Sequence, residues 1–286
     1  MKKLLFFIFV SFNFQVFCQN FDAINAETIA EATELYESQM IALKAAELYF
    51  KKYRNQAAIG GYLAYSQDSI SKCIFYSKAE NATVIAEITL DTSYKLIKEG
   101  INVTERAFTP YEKDLYEIRS KSQQRITTDT LFKSFQDSQF KILPLIYKGK
   151  KKAYIVTNSL ESEIVIFGND YRIDFDKDNT ILHVTRLHKD ITPIKYPNNS
   201  KESNAIHTHS LIDDDLMTVT DVFTLLLHWE RAKWETHMVV SQNYLSVLHL
   251  RSKRLITMTQ EAYKKMIDRI DKGIEKQKQK ENNQKN

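Results

Sequence analysis

Two of the chain's seven histidines stand one residue apart in "AIHTHSLIDDDLMTVTD", Ala205 to Asp221. On an extended strand, residues i and i+2 share one face, about 7 Å apart along the backbone. His207 and His209 can therefore offer two imidazoles to one ion. Zinc takes N, O or S donors at about 2.0–2.3 Å, four in all, and a catalytic site leaves one position to water. Asp221 is the natural third donor, because it starts the helix signalled by "DVFTLLLHWERAKWET" directly after the acidic loop. A site of two histidines and one aspartate with an open position is a hydrolytic centre, since the metal lowers the pKa of bound water toward about 7. Such a centre also needs a carboxylate that is not a ligand, to move protons.

Upstream, "ESEIVIFG" runs from Glu161 to Gly168, and downstream "TVTD" runs from Thr218 to Asp221. Glutamate, then His-x-His, then a loop, then Ser/Thr-x-x-Asp is an order that resembles the JAMM (MPN-plus) metallopeptidases. The resemblance covers about residues 161–266. It implies a mixed α/β, deaminase-like three-layer domain that cleaves peptide or isopeptide bonds in a peptide or protein substrate. By that resemblance His207, His209 and Asp221 bind Zn2+, Glu161 is the general acid/base, and Thr218 takes the place of the serine that helps stabilise the tetrahedral intermediate. Glu163, two residues on and on the same strand face, competes for the base role; Glu161 is chosen by its distance from Gly168. Ser210 stands where the family has proline, and Ile164 where it has the middle glycine of the first motif. Two readings follow: a zinc hydrolase, or a non-catalytic scaffold or binding protein that keeps the fold.

The remaining histidines, His183, His188, His228, His237 and His249, lie in strand or helix patterns and read as structural. His188 is the exception, at a strand end near the presumed site. Asp213-Asp214-Asp215 lacks the spaced oxygens and glycine of a calcium loop. Cys73 in "KCIFYS" reads as a buried thiol.

The elements that must position these residues fall into an α+β arrangement. A mainly helical N-terminal region with a short β-hairpin, residues 20–145, precedes the JAMM-like domain, 146–270, and a disordered polar tail, 271–286. The N-terminal region carries two helical patterns. One runs from Asn20 to about Asn55; the other is "TPYEKDLYEIRSKSQQRI", with Thr109 as N-cap, Pro110 at the first helical position and Glu112 completing a capping box. The hairpin is "KCIFYS" with "ATVIAEITLD". From Ile142 the texture is β-branched and aromatic, and "ILPLIY", "KAYIVTN", "EIVIFG", "YRIDFD" and "TILHVTRLH" read as an antiparallel meander. After the helix at Asp221, "HMVVSQNYLSVLHL" reads as a strand pair and Thr259 to Ile274 as a last helix.

Residues 1–18, "MKKLLFFIFVSFNFQVFC", read as a signal peptide, which implies export; acylation at Cys18 is the rival and fits its flanks less well. No other hydrophobic run approaches membrane length, so no integral membrane segment is expected after cleavage. The composition, 43% hydrophobic and 27% charged, is ordinary for a globular chain, and a net charge of +4 is too mild to argue for nucleic acid.

Overall fold

The computed structural model describes residues 20–53, 56–67, 69–196, 204–210 and 215–283; the expected signal peptide lies outside them. Helix α1 (Phe21–Lys52) starts where the Asn20 side chain accepts a hydrogen bond from the Ala23 N–H at 3.2 Å. Strands β1 (Ile59–Gln67), β2 (Ile70–Ser77), β3 (Val84–Leu90) and β4 (Leu96–Asn102) then form a four-stranded antiparallel sheet in sequence order. This is a correction to the short hairpin expected in a mainly helical region. The outer strand β4, "LIKEGIN", buries only Gly100. Its exposed, partly charged face blunts the sheet edge and leaves no alternating apolar pattern to read. Helix α2 (Pro110–Thr128) follows, with the expected capping box between Thr109 and Glu112.

The next stretch contains β5 (Ser138–Tyr147), β6 (Lys150–Ser159), β7 (Ile164–Gly168), β8 (Tyr171–Phe175), β9 (Ile181–Arg186) and β10 (Ile191–Lys195). These are the expected strands, but not one meander. The sheet runs β5-β6-β8-β9, while β7 leaves it and pairs with β10. Gly168 makes this departure possible. Its φ is +96°, and a Cβ there would collide with the Asp190 carbonyl oxygen where the chain enters β10. Finally β11 (Asn204–Thr208), α3 (Val219–Ala232), β12 (Thr236–Val240), β13 (Tyr244–His249) and β14 (Arg254–Thr259) build a sheet in which β11 is parallel to β12 and the other pairs are antiparallel. Helix α4 (Gln260–Asn283) continues through most of the stretch expected to be a disordered tail. The described chain is thus a mixed α/β protein of four helices and several sheets.

Helix α1 belongs to two cores. Ala32 and Leu35 pack in the core of Val222, Phe223, Leu226 and Trp234 from the C-terminal half. Two turns later, Ile41, Ala42, Ala45 and Tyr49 pack against Cys73, Phe75 and Ile88 of the first sheet. The expected boundary near residue 146 falls inside β5, whose sheet continues through β6, β8 and β9, and α1 packs against elements on either side of it.

Candidate metal centre

The β11–α3–β12 crossover brings the carboxyl end of β11 and the N-terminus of α3 to one edge. His207 and His209 share a face there, and the His209 N–H extends the ladder to the Val240 carbonyl at 3.0 Å. Across the loop, Thr218 caps α3 and Asp221 occupies its third position. The Thr218 Oγ1 accepts from the Asp221 N–H at 3.1 Å, and Asp221 Oδ2 accepts from the Thr218 N–H at 2.8 Å. The capping box leaves the other oxygen, Oδ1, buried without a hydrogen bond among the described residues.

Imidazoles surround that carboxylate. His207 Nε2 and His188 Nε2 each stand 3.3 Å from Oδ1, and His209 Nε2 stands 3.3 Å from Oδ2. His207 and His209 approach each other Nε2 to Nε2 at 2.9 Å. His188, His209 and Asp221 offer three donor atoms all within 4.8 Å of one another. All four residues are at most 7% exposed. Donors bound tetrahedrally at about 2.0–2.1 Å lie about 3.3–3.4 Å apart, close to the spacings here. Two imidazole nitrogens on a carboxylate oxygen that lacks a hydrogen bond, with a third on its neighbouring oxygen, make a donor set that could hold a borderline cation such as zinc.

An outer layer holds the rings. His188 turns Nδ1 toward Asp170 Oδ2 at 3.6 Å, and Asp170 Oδ1 accepts from the Thr157 N–H at 2.9 Å. His207 Nδ1 lies 2.7 Å from Nε2 of His237 on β12. Phe167 stacks on both His207 and His237, at 4.6 and 4.9 Å between centroids. Burial would raise the Asp221 carboxyl, but the charges of His188, His209 and His207 outweigh it and hold it well below the usual carboxylate range. Burial raises Asp170, with His188 working against it. Burial pushes His237 down to about 3, helped by His207, so it is neutral and can accept from His207.

The sequence-derived ligands His207, His209 and Asp221 are thus together, and Thr218 is with them, its Oγ1 2.8 Å from Asp221 Oδ2 and 3.5 Å from His188 Nε2. Glu161 is not. It sits exposed in the β6–β7 turn and lines a different cavity, with Leu43 and Arg231. Gly168, at the other end of β7, lines the cavity beside His188, His207 and His209. Strand β7 alone spans about 13 Å. Glu163 is at the same distant end, its carbonyl accepting the Tyr196 N–H at 3.0 Å. A strand-initial glutamate reaches the centre only if the strand starts there, and β7 ends there. His188 was marked by its strand-end position but not as a ligand, and Asp170 and His237 carried no local signal. The cavity beside the cluster has about 20 Å3, with Asp190 and Ser210 also lining it, and the Ser210 Oγ donates to Asp190 Oδ2 at 2.9 Å. No protein-family model, curated protein or solved structure matches the chain.

Proposed function

We propose that this chain is an exported zinc-binding protein in which His188, His207, His209 and Asp221 hold one zinc ion. The convergence of three Nε2 atoms on the carboxylate of Asp221, at tetrahedral-edge spacing, carries the reading. Four buried protein donors form a closed set, which is the pattern of structural rather than catalytic zinc. The geometry therefore favours the non-catalytic reading: a binding protein whose centre ties the β9–β10 link, β11 and α3 together. Zinc in such a site supplies folding free energy. The chain's own part is to hold the donors. Asp170 faces the Nδ1 of His188, His237 fixes the tautomer of His207, and the capping box turns Asp221 Oδ1 toward the rings. Export rests on the signal-like residues 1–18.

Kinship with the JAMM metallopeptidases is part of the proposal. The His-x-His strand, the helix opening at Asp221 and the returning strand support it; the position of Glu161 does not. A second, hydrolytic reading is favoured by one observation, the small cavity beside His207 and His209. It has room for about one water, and among the described residues its one lining carboxylate is Asp190. In that reading Asp190 takes the base role and accepts a proton from water during peptide or isopeptide cleavage.

Metal analysis of the folded full chain tests the first reading. About one zinc per chain is expected, lost in His188→Ala and in Asp221→Ala. Folded wild-type protein that takes up no zinc from a zinc-containing buffer would overturn it. Cleavage of peptide substrates by the zinc-loaded protein, abolished in Asp190→Asn with zinc retained, would establish the hydrolytic reading. Zinc-loaded protein inert toward peptides would eliminate it.

A further inference from the structure

A second cavity, of about 350 Å3, opens between α1, β5, the β6–β7 turn and α3. It lies at the end of β7 away from the metal centre, and the zinc proposal makes no use of it. Leu43, Ile166 and Leu227 give it an apolar wall. Two cations share the lining: Lys141 on β5 and Arg231 in the last turn of α3. Neither has an ion-pair partner among the described residues, although the exposed Arg231 lies over the Tyr196 ring, 5.8 Å from its centroid.

Lys141 is only partly exposed, and its surroundings are unfavourable to its charge. Burial, with the nearby charge of Arg119, pushes it below the ordinary lysine range. Arg119 is itself engaged, donating Nη1 to the Ile142 carbonyl at 3.0 Å and lying over the Tyr62 ring. His228, also in the lining, is pushed down to about 4 by burial, Arg231 and Lys141, so it is neutral at pH 7 and brings no compensating charge. Among the described residues, the one carboxylate in the lining is Glu161, on the exposed turn at the rim. At the α1 side Gln39 is 2% exposed, and its Oε1 has no hydrogen-bond partner among the described residues. Desolvating a cation without a partner is costly. Lys141 is such a cation, and with the exposed Arg231 beside it and an apolar wall, in a cavity of ligand size, it makes a site whose missing component is an anion.

We propose that this cavity binds a small amphiphilic organic anion, with its carboxylate, sulfonate or phosphate group at Lys141 and Arg231 and its hydrocarbon body against Leu43, Ile166 and Leu227. Glu161 at the rim opposes the anion, so the site selects ligands whose charge reaches past it.

The probe is 8-anilinonaphthalene-1-sulfonate, compared with N-phenyl-1-naphthylamine, which keeps the aromatic body and lacks the sulfonate. Fluorescence titration of the full chain is expected to show one sulfonate site, with the neutral probe about tenfold weaker. Lys141→Gln and Arg231→Gln each weaken the sulfonate about tenfold and leave the neutral probe unchanged. Glu161→Gln tightens the sulfonate, a gain that loss of structure does not produce. Absence of a sulfonate site, equal binding of the two probes, or sulfonate binding indifferent to both cation substitutions would overturn the proposal. Should the Lys141 variant fail to fold, Leu43→Trp decides: Leu43 is 51% exposed, so the larger side chain fills the cavity without disturbing a core. Undiminished sulfonate binding in that folded variant contradicts the site, and its loss supports it.

Discussion

His237 shows how much of the proposed zinc site lies one layer behind its donors. It is fully buried on β12 and is not one of the four proposed donors, yet its Nε2 stands 2.7 Å from His207 Nδ1. His237→Ala removes the acceptor that fixes the His207 ring. Zinc affinity is expected to fall about 10–100-fold while the fold persists, measured by competition with a chromogenic chelator; unchanged affinity would remove this role. Thr218 acts at the same scale through the cap. Thr218→Val is expected to lower stability by about 1 kcal/mol, read by urea denaturation of the metal-free chain. The sequence could show His207, His209 and Asp221 because two periodicities, the strand's and the helix's, place them. His188, Asp170 and His237 come from the β9–β10 link, the β7–β8 turn and a neighbouring strand. Only tertiary pairing brings those together, so no spacing in the chain announces them. Glu161 lies away from the cluster for a related reason: a motif fixes residue order but not which end of a strand faces the site.

At the level of elements, the helix caps and the apolar strands were readable and the edges were not. Helix α2 starts where Thr109, Pro110 and Glu112 say it should. Its Glu112 does more than cap. It is fully buried, accepts from Tyr65 Oη at 2.8 Å and pairs with Arg106 at 2.7 Å, tying α2 to the first sheet. Burial pushes this carboxyl up, but Arg106, the Thr109 N–H and Tyr65 outweigh it and hold it at about 2, against an ordinary value of 4.5. A depressed carboxyl pKa gives stability that is complete above the unfolded value and is lost as pH falls through the folded one. Urea midpoints of the wild type should therefore drop between pH 4.5 and 2, and Glu112→Gln should be less stable at pH 7 with a flatter profile over that window. Equal slopes for the two proteins would show that Glu112 is not the group responsible. Strand β4 stayed hidden because an edge strand with exposed charges carries no period-two signal. The departure of β7 from its sheet stayed hidden because pairing partners are a tertiary choice.

For the whole molecule, α1 is the long-range fact. Its first half packs with α3 and its second half with β2 and β3, so the two cores share one rigid rod. Both tryptophans, Trp229 and Trp234, belong to the C-terminal core. Ile41→Ala, in the other core, is nevertheless expected to lower the urea midpoint seen by tryptophan fluorescence, by about 2–5 kcal/mol of stability. A tryptophan transition blind to that change would mean that the two cores unfold separately. The parallel pairing of β11 with β12 has a consequence of another kind, in the order of assembly. Parallel neighbours cannot be joined by a tight hairpin; the chain must first traverse α3 and come back. Residues from His188 to His237 have to be gathered before the last imidazole layer closes. Such distant pairings are slow steps in a folding reaction, so the His/Asp cluster is expected to close late, on a frame of local hairpins formed before it.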